Sequence, residues 1–241
     1  SQFLKSRCRV NPMRAVRAIT FDLDDTLWEI GPVIARAERK VYEEIRNRFP
    51  RVAERYAVEG IQKTRQQVLK KYPEIAHDVT EIRRVTFRWM LTGCDYNPDD
   101  SHALLEQFLQ LRHEVEFFAD VVPALRRLSE RYPLLTMTNG NADVERLGIT
   151  HFFTGHISAR SAGVLKPDPR IFELACQMLE EDPGAVLHVG DHPVDDVLGA
   201  LDAGFQAAWI NRRADIWTHE REPHAEVQNL IELVDLLDAD N

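Results

Sequence analysis

Asp22 and Asp24 stand one residue apart at the end of the apolar run Ala18-Ile19-Thr20-Phe21. In a strand, alternate residues share a face, so both carboxylates converge where the chain turns away. Unshielded carboxylates that close repel, and one holds its proton. A hard divalent cation removes that penalty, and magnesium prefers such oxygen ligands. A solvated acidic turn has the same letters, so the pair alone does not decide the chemistry. Three further signals follow: Thr138-Asn139-Gly140, then Leu165-Lys166-Pro167-Asp168-Pro169, then Gly190-Asp191-His192-Pro193-Val194-Asp195-Asp196. In-line phosphoryl transfer needs a nucleophile, a proton donor, a cation, and positive or hydrogen-bonding groups on the phosphate oxygens. These segments carry residues of each type.

The elements that must position them are short apolar runs alternating with amphipathic stretches. Strands are predicted over 134–138, 155–158, 185–189 and 206–210, besides the run that ends at Asp22. Helices are predicted over 121–132, 169–180 and 193–203. This alternation argues for a parallel sheet covered on both faces, with ligands beyond the carboxyl ends of the strands. Asp22, Thr138 and Asp191 all fall there. Between 28 and 116 no strand pattern appears. Helices are predicted over 32–49, 60–72, 79–91 and 98–117, the first with Val33, Ile34, Ala37, Val41 and Ile45 at helical spacing. The fold class is therefore α/β, a Rossmann-like parallel-sheet core at 14–27 and 117–241 with an inserted α-helical cap at 28–116. The cap serves as a structural bundle and, on the preferred reading, as a lid over the strand ends. The tail, 227–237, reads as a helix packing back on the core. Residues 1–13 read as a disordered leader without an apolar signal core.

With 241 residues, 44% of them hydrophobic, the chain has enough apolar material for a core domain plus a smaller one. A net charge of -9 without a long basic run argues against nucleic acid as a partner. No apolar run approaches membrane-spanning length. The three cysteines, Cys8, Cys94 and Cys176, are scattered, which suggests reduced thiols, a cytoplasmic location and no zinc site. His188, Asp191 and His192 invite a transition-metal reading. Oxygen-rich donors favour magnesium instead, His188 is expected as a satisfied core residue, and His192 as a neighbour of the substrate.

The four motifs in this order resemble the haloacid dehalogenase-like (HAD) hydrolase superfamily, in the branch whose helical cap follows the first motif. The resemblance covers almost the whole chain. It implies that Asp22 attacks phosphorus to form an aspartyl-phosphate, and that Asp24 protonates the leaving alcohol and then activates water. It places Thr138, Asn139 and Lys166 on the phosphate, Lys166 also balancing Asp22. It places Mg2+ on Asp22, the Asp24 backbone carbonyl and Asp191. A further acid lies four or five residues after Asp191, so both Asp195 and Asp196 are metal candidates, with Asp195 favoured. Asp25 is expected to cap the turn. The dehalogenases of the superfamily lack an acid at the position of Asp24, which argues against dehalogenation here.

Residues 31–39, 73–80 and 138–142 further resemble the YigB-type bacterial phosphatases. That resemblance implies flavin mononucleotide or the phosphorylated pyrimidine intermediate of riboflavin synthesis as substrate. Trp28 is the candidate to stack on such a ring, and Arg36 and His77 are polar candidates, with sealing, surface or capping roles open for each. The expected partner is a small phosphorylated metabolite. The alternatives are a sugar-phosphate or phosphoglycolate-type phosphatase, then a phosphomutase, then a catalytically silent binding protein. The intact Asp22, Asp24, Thr138, Lys166 and Asp191 set weighs against the last.

Overall fold

The computed structural model describes residues 12–239. The stretch expected as a leader lies outside the described residues except for its last two. Contacts divide the chain into two units. One runs up to Trp28 and includes Glu116–Gly140 and everything from Gly148; the other is Glu29–Val115 with Asn141–Leu147.

The first unit is built on six parallel strands: β1 Ala18–Phe21, β2 Leu134–Thr138, β3 Gly155–Ser158, β4 Val186–Gly190, β5 Gln206–Ile210 and β6 Ala225–Val227. Their spatial order is β3-β2-β1-β4-β5-β6. β1, β2, β4 and β5 are buried at every position, as expected of near-continuous apolar runs in a sheet covered on both faces. The chain lays β2 and β3 on one side of β1 and returns with β4 on the other. That reversal opens a crevice beyond the ends of β1 and β4. The register is direct there, with Thr20 beside His188 and Phe21 beside Val189.

Helix Val121–Ser129 buries Val121, Ala124, Leu125 and Leu128, which share one face. Helix Pro169–Leu179 starts on a proline, is capped by Asp168 and buries Ile171, Phe172 and Ala175. The helix predicted over 193–203 is two pieces, a π-helical turn Pro193–Leu198 and a short α-helix Gly199–Asp202. The tail also differs from expectation. β6 takes Ala225–Val227, and the last helix is Leu230–Ala239. A three-residue strand offers too little alternation to stand out from a loop.

The second unit contains α1 Ile30–Arg48, α2 Pro50–Arg55, α3 Val58–Lys71, α4 Val79–Thr92 and α5 Ser101–Arg112. α1 begins two residues ahead of Pro32, which therefore stays in the first turn. α2 was not expected; its signal is Pro50 at the first helical position. α5 stops short of 117, where the His113 and Glu114 amides turn back to Gln110 and Leu111. The core of this unit gathers Ala37, Val41, Ile45, Phe87, Met90, Leu104 and Phe108. Residues 141–147 group with it, not with the sheet that sequence order suggests. Asn141 Nδ2 donates to Thr80 Oγ1 at 3.2 Å and the Asp143 amide donates to His113 Nε2 at 2.9 Å. Among the described residues no helix is long and apolar enough to cross a membrane.

Candidate active site

Asp22 leaves β1 with its amide donating to Val189 O at 2.9 Å, so the sheet fixes its backbone. Its side chain is buried. Thr26 Oγ1 donates to Asp22 Oδ2 at 3.2 Å and stands 3.4 Å from Asp191 Oδ1. The loop between is compact. Leu23 and Leu27 are fully buried and Asp25 takes a φ of 64°, a left-handed conformation that aspartate tolerates better than most residues. Asp24 faces the same cleft, and Trp28 Nε1 donates to its Oδ1 at 3.1 Å. Gly140 allows this approach, because a Cβ there would lie 2.4 Å from Asp24 Oδ2.

Lys166 is buried, with Nζ 2.8 Å from Asp22 Oδ1 and 2.6 Å from Asp196 Oδ1. Asn139 holds its backbone at both ends: Oδ1 accepts from Lys166 N at 2.7 Å and Nδ2 donates to Lys166 O at 3.0 Å. The Asn139 side chain is thus a clamp on Lys166, while the residue also lines the cleft. Thr138 Oγ1 accepts from the Gly140 amide at 2.9 Å, which leaves its hydroxyl proton for another acceptor.

At the end of β4, Trp209 Nε1 donates to Asp191 O at 2.8 Å and fixes that backbone. Asp22, Asp191 and Asp196 bring one carboxylate oxygen each within 4.8 Å of one another. Asp195, favoured over Asp196 from sequence, is not in this group. The π turn directs Asp196 inward under Gly190, where any Cβ would meet its Cγ at 2.2 Å. Asp195 stays on the rim, 3.5 Å from Asn139 Nδ2, with its amide donating to His192 Nδ1 at 3.0 Å. His192 therefore caps the π turn while lining the cleft. His188 is fully enclosed between Thr20 and Asp196. Thr26, Trp209 and His188 were not assigned to the site from sequence. Thr26 lies four residues after Asp22 in the same loop and was within reach of a local reading, whereas His188 and Trp209 sit inside apolar strands that read as core.

The cleft holds about 230 Å³, lined by Asp22, Asp24, Thr138, Lys166, Asp191 and Asp195 among others. Burial raises the Asp22 carboxyl well above the usual range, with Asp196 and Asp191 adding to it against the opposing charge of Lys166. Burial, then the charges of Asp196 and Asp25, push Asp191 up to about 7. Asp196 goes the other way. Burial works against its charge, but Lys166 and the hydrogen bond from His188 hold it well below the carboxylate range. Lys166 is raised, its two carboxylates outweighing burial. The site thus keeps two acids that resist ionisation beside one that does not. The donors are hard oxygens and their mutual repulsion is what a divalent cation relieves, so the residues fit such an ion.

Residues 16–204 match the haloacid dehalogenase-like hydrolase family. The chain belongs to that family. It is 33% identical to the 5-amino-6-(5-phospho-D-ribitylamino)uracil phosphatase YigB of Escherichia coli K12 over 94% of this chain and 98% of that protein. It is 27% identical to the (S)-2-haloacid dehalogenase of Pseudomonas sp. strain YL over 94% and 96% of the two chains. Among solved structures, the 2-haloacid dehalogenase of Pseudomonas syringae pv. tomato DC3000 superposes with a TM-score of 0.89 at 36% identity, covering 94% of this chain and 100% of that one. As a HAD-like hydrolase the chain is an enzyme, with phosphatases among its relatives.

Of the three candidate substrate residues, Trp28 belongs to the sheet unit of this HAD-like chain and Arg36 and His77 to the helical unit. Trp28 is fully buried, edge-on to Phe117 at 5.7 Å, with its indole N–H on Asp24. It is a support for Asp24, not an exposed face for a planar ring. Arg36 donates to Glu114 O at 2.5 Å and lies 3.7 Å from the Glu114 carboxylate, a tie inside the helical unit. His77 is half-buried in the turn before α4.

Proposed function

We propose that this enzyme is a magnesium-dependent phosphomonoesterase of a small phosphorylated metabolite, working through an aspartyl-phosphate on Asp22. The observation that carries the reading is Lys166 Nζ held 2.8 Å from Asp22 Oδ1, with a second carboxylate, Asp24, facing the same cleft. Magnesium on Asp22 and Asp191, with the Asp24 backbone carbonyl and the nearby Asp196 or Asp195 carboxylates, would offset phosphate charge and keep Asp22 ionised. Thr138 and Lys166 hold the phosphate oxygens and orient phosphorus toward Asp22.

Asp22 attacks phosphorus, the ester P–O bond breaks, and Asp24 gives its proton to the leaving alkoxide. Water then loses a proton to Asp24 and attacks the same phosphorus. The bond to Asp22 breaks and inorganic phosphate leaves with Asp22 restored. Trp28 holds Asp24 on its Oδ1 during both transfers. A protonated acid here serves an ester oxygen and has no task for a departing halide, which favours phosphate esters over haloacids.

The substrate proposal is a phosphorylated side chain on a planar ring, such as flavin mononucleotide or 5-amino-6-(5-phospho-D-ribitylamino)uracil, the compound in the name of the Escherichia coli relative. The helical unit, acting as a cap, would set that preference. Phosphate release across a panel of ring-bearing and sugar phosphates, with magnesium and with chelator, tests both parts. Magnesium-dependent release strongest on the ring-bearing esters supports them. A preference for sugar phosphates or phosphoglycolate moves the substrate, and no release from any ester removes the phosphatase reading.

A further inference from the structure

His188 is a polar residue in the middle of a buried strand, where an unsatisfied ring nitrogen is costly. Both of its nitrogens are engaged. Nε2 lies 3.0 Å from Asp196 Oδ1, and Nδ1 lies 2.7 Å from Thr20 Oγ1 across the β1–β4 register. An ionised carboxylate only accepts, so Nε2 carries the hydrogen. With the ring neutral, Nδ1 must accept from the Thr20 hydroxyl. Phe172 packs edge-on to the imidazole at 5.6 Å and fixes its plane.

Asp196 is consequently held by three donors. Oδ1 accepts from Lys166 Nζ at 2.6 Å and from His188 Nε2 at 3.0 Å, and Oδ2 accepts from the His192 amide at 2.9 Å. A carboxylate gripped at both oxygens cannot rotate, and Lys166 reaches Asp22 from this fixed point.

We infer that His188, oriented by Thr20, is a positioning residue that acts through Asp196 to hold Lys166 against Asp22. The inference rests on the phosphatase reading of the same site. A second cross-strand pair of the same composition, Thr136 with His156, lies in direct register between β2 and β3 and supplies an internal control. His188 is buried and His156 half-exposed, so the two differ in stability, but if such a pair only ties neighbouring strands, losing either histidine leaves kcat of the folded protein unchanged. If His188 positions Lys166, only its loss lowers kcat.

The test is steady-state turnover of para-nitrophenyl phosphate at saturating magnesium by wild type, His188→Leu, His188→Gln, Thr20→Val and His156→Leu. His188→Leu is expected to lower kcat by about tenfold to a hundredfold, the usual effect of removing a group behind a catalytic one. His188→Gln, whose amide supplies a donor toward Asp196, recovers most of it. Thr20→Val loses less than His188→Leu, and His156→Leu keeps the wild-type kcat. An unchanged kcat in folded His188→Leu, or an equal loss in His156→Leu, overturns the inference. Nitrogen-15 shifts of the His188 ring check the tautomer independently of turnover, and a hydrogen on Nδ1 with none on Nε2 overturns it too. If wild type hydrolyses no ester, the functional reading falls. The inference is then decided by crystal structures of wild type and His188→Leu. Displacement of Lys166 Nζ from its place between Asp22 and Asp196 sustains it, and an unmoved Nζ overturns it.

Discussion

The two units each enclose an ionic cluster, and the clusters are balanced in opposite ways. In the sheet unit three carboxylates, Asp22, Asp191 and Asp196, meet one ammonium, Lys166. In the helical unit one carboxylate, Glu38, meets two guanidinium groups, Arg65 at 3.0 Å and Arg83 at 3.2 Å. Glu38 is lowered; burial opposes this, but hydrogen bonding from Arg65 and the charge of Arg83 prevail. Burial and the charge of Arg65 bring Arg83 down to about 10, which still leaves it charged at neutral pH, stacked 3.5 Å over the Phe108 ring. In the helical cluster the guanidinium groups outnumber the acid, with Arg112 buried nearby, and they keep Glu38 ionised. In the sheet cluster the acids outnumber the base, and Asp191 sits near 7 with Asp22 raised as well. The difference that matters is at the acids: Glu38 is held ionised by side chains of its own unit, whereas the sheet unit leaves Asp22 and Asp191 short of positive charge that something from solution can supply.

The largest expected effect breaks the sheet cluster at its reactive end. Asp22→Asn should lower phosphatase kcat by about ten-thousand-fold or more, as loss of a nucleophile does. Its melting temperature should hold or rise, because a buried and disfavoured charge has been removed. A stable variant with substantial turnover would end the covalent mechanism. Asp24→Asn should lower kcat by about a hundredfold to ten-thousandfold. The loss should be smaller with para-nitrophenyl phosphate, whose leaving group scarcely needs a proton, than with an alkyl phosphate.

Proton and cation should compete for the deficit. The folded pKa of Asp191 is about 7 against a usual 3.8, so between those values the metal-free native state binds a proton that the unfolded chain lacks. Its contribution to stability therefore falls as pH rises through that window. Metal-free wild type should gain stability on acidification from pH 8 to pH 5 relative to Asp191→Asn, measured by thermal unfolding. Magnesium should close that gap at pH 8, adding about 3 kcal/mol at a free concentration a hundredfold above Kd. No magnesium shift at either pH would mean that the deficit serves something else.

The smallest effect should come from the helical cluster, whose acid is already paired. Glu38→Gln weakens charge-assisted hydrogen bonds at a half-buried position and should cost about 1–3 kcal/mol in chemical denaturation. Turnover of para-nitrophenyl phosphate should not change. A loss of kcat with stability intact would erase the contrast between the clusters.

How much of this was legible in the sequence differs from residue to residue. Asp22, Thr138 and Asp191 each follow an apolar run long enough to read as a buried strand, and strand ends are where such sheets place chemistry. Lys166 precedes a helix announced by Pro169 and the Asp168 cap. Asp195 and Asp196 were indistinguishable by spacing, and a π turn together with the space over Gly190 separated them. Asn139 and Trp28 had the right side chains for substrate contact, and only the fold shows that those side chains also bond Lys166 and Asp24. Residues 141–147 join the helical unit through single hydrogen bonds that no periodicity reveals.

The sequence by itself determined the layered α/β class, the helical insert and four chemistry-bearing turns in order. Hydrophobic period and turn residues are local properties, readable within a window of ten or so positions. Only the tertiary structure decided that β4 lies beside β1, bringing Asp191 to Asp22 and His188 to Thr20. It alone decided which acid takes Lys166 and which faces solvent. Those outcomes depend on contacts between residues from 30 to 168 positions apart, where burial and hydrogen-bond geometry choose among partners the sequence leaves equivalent.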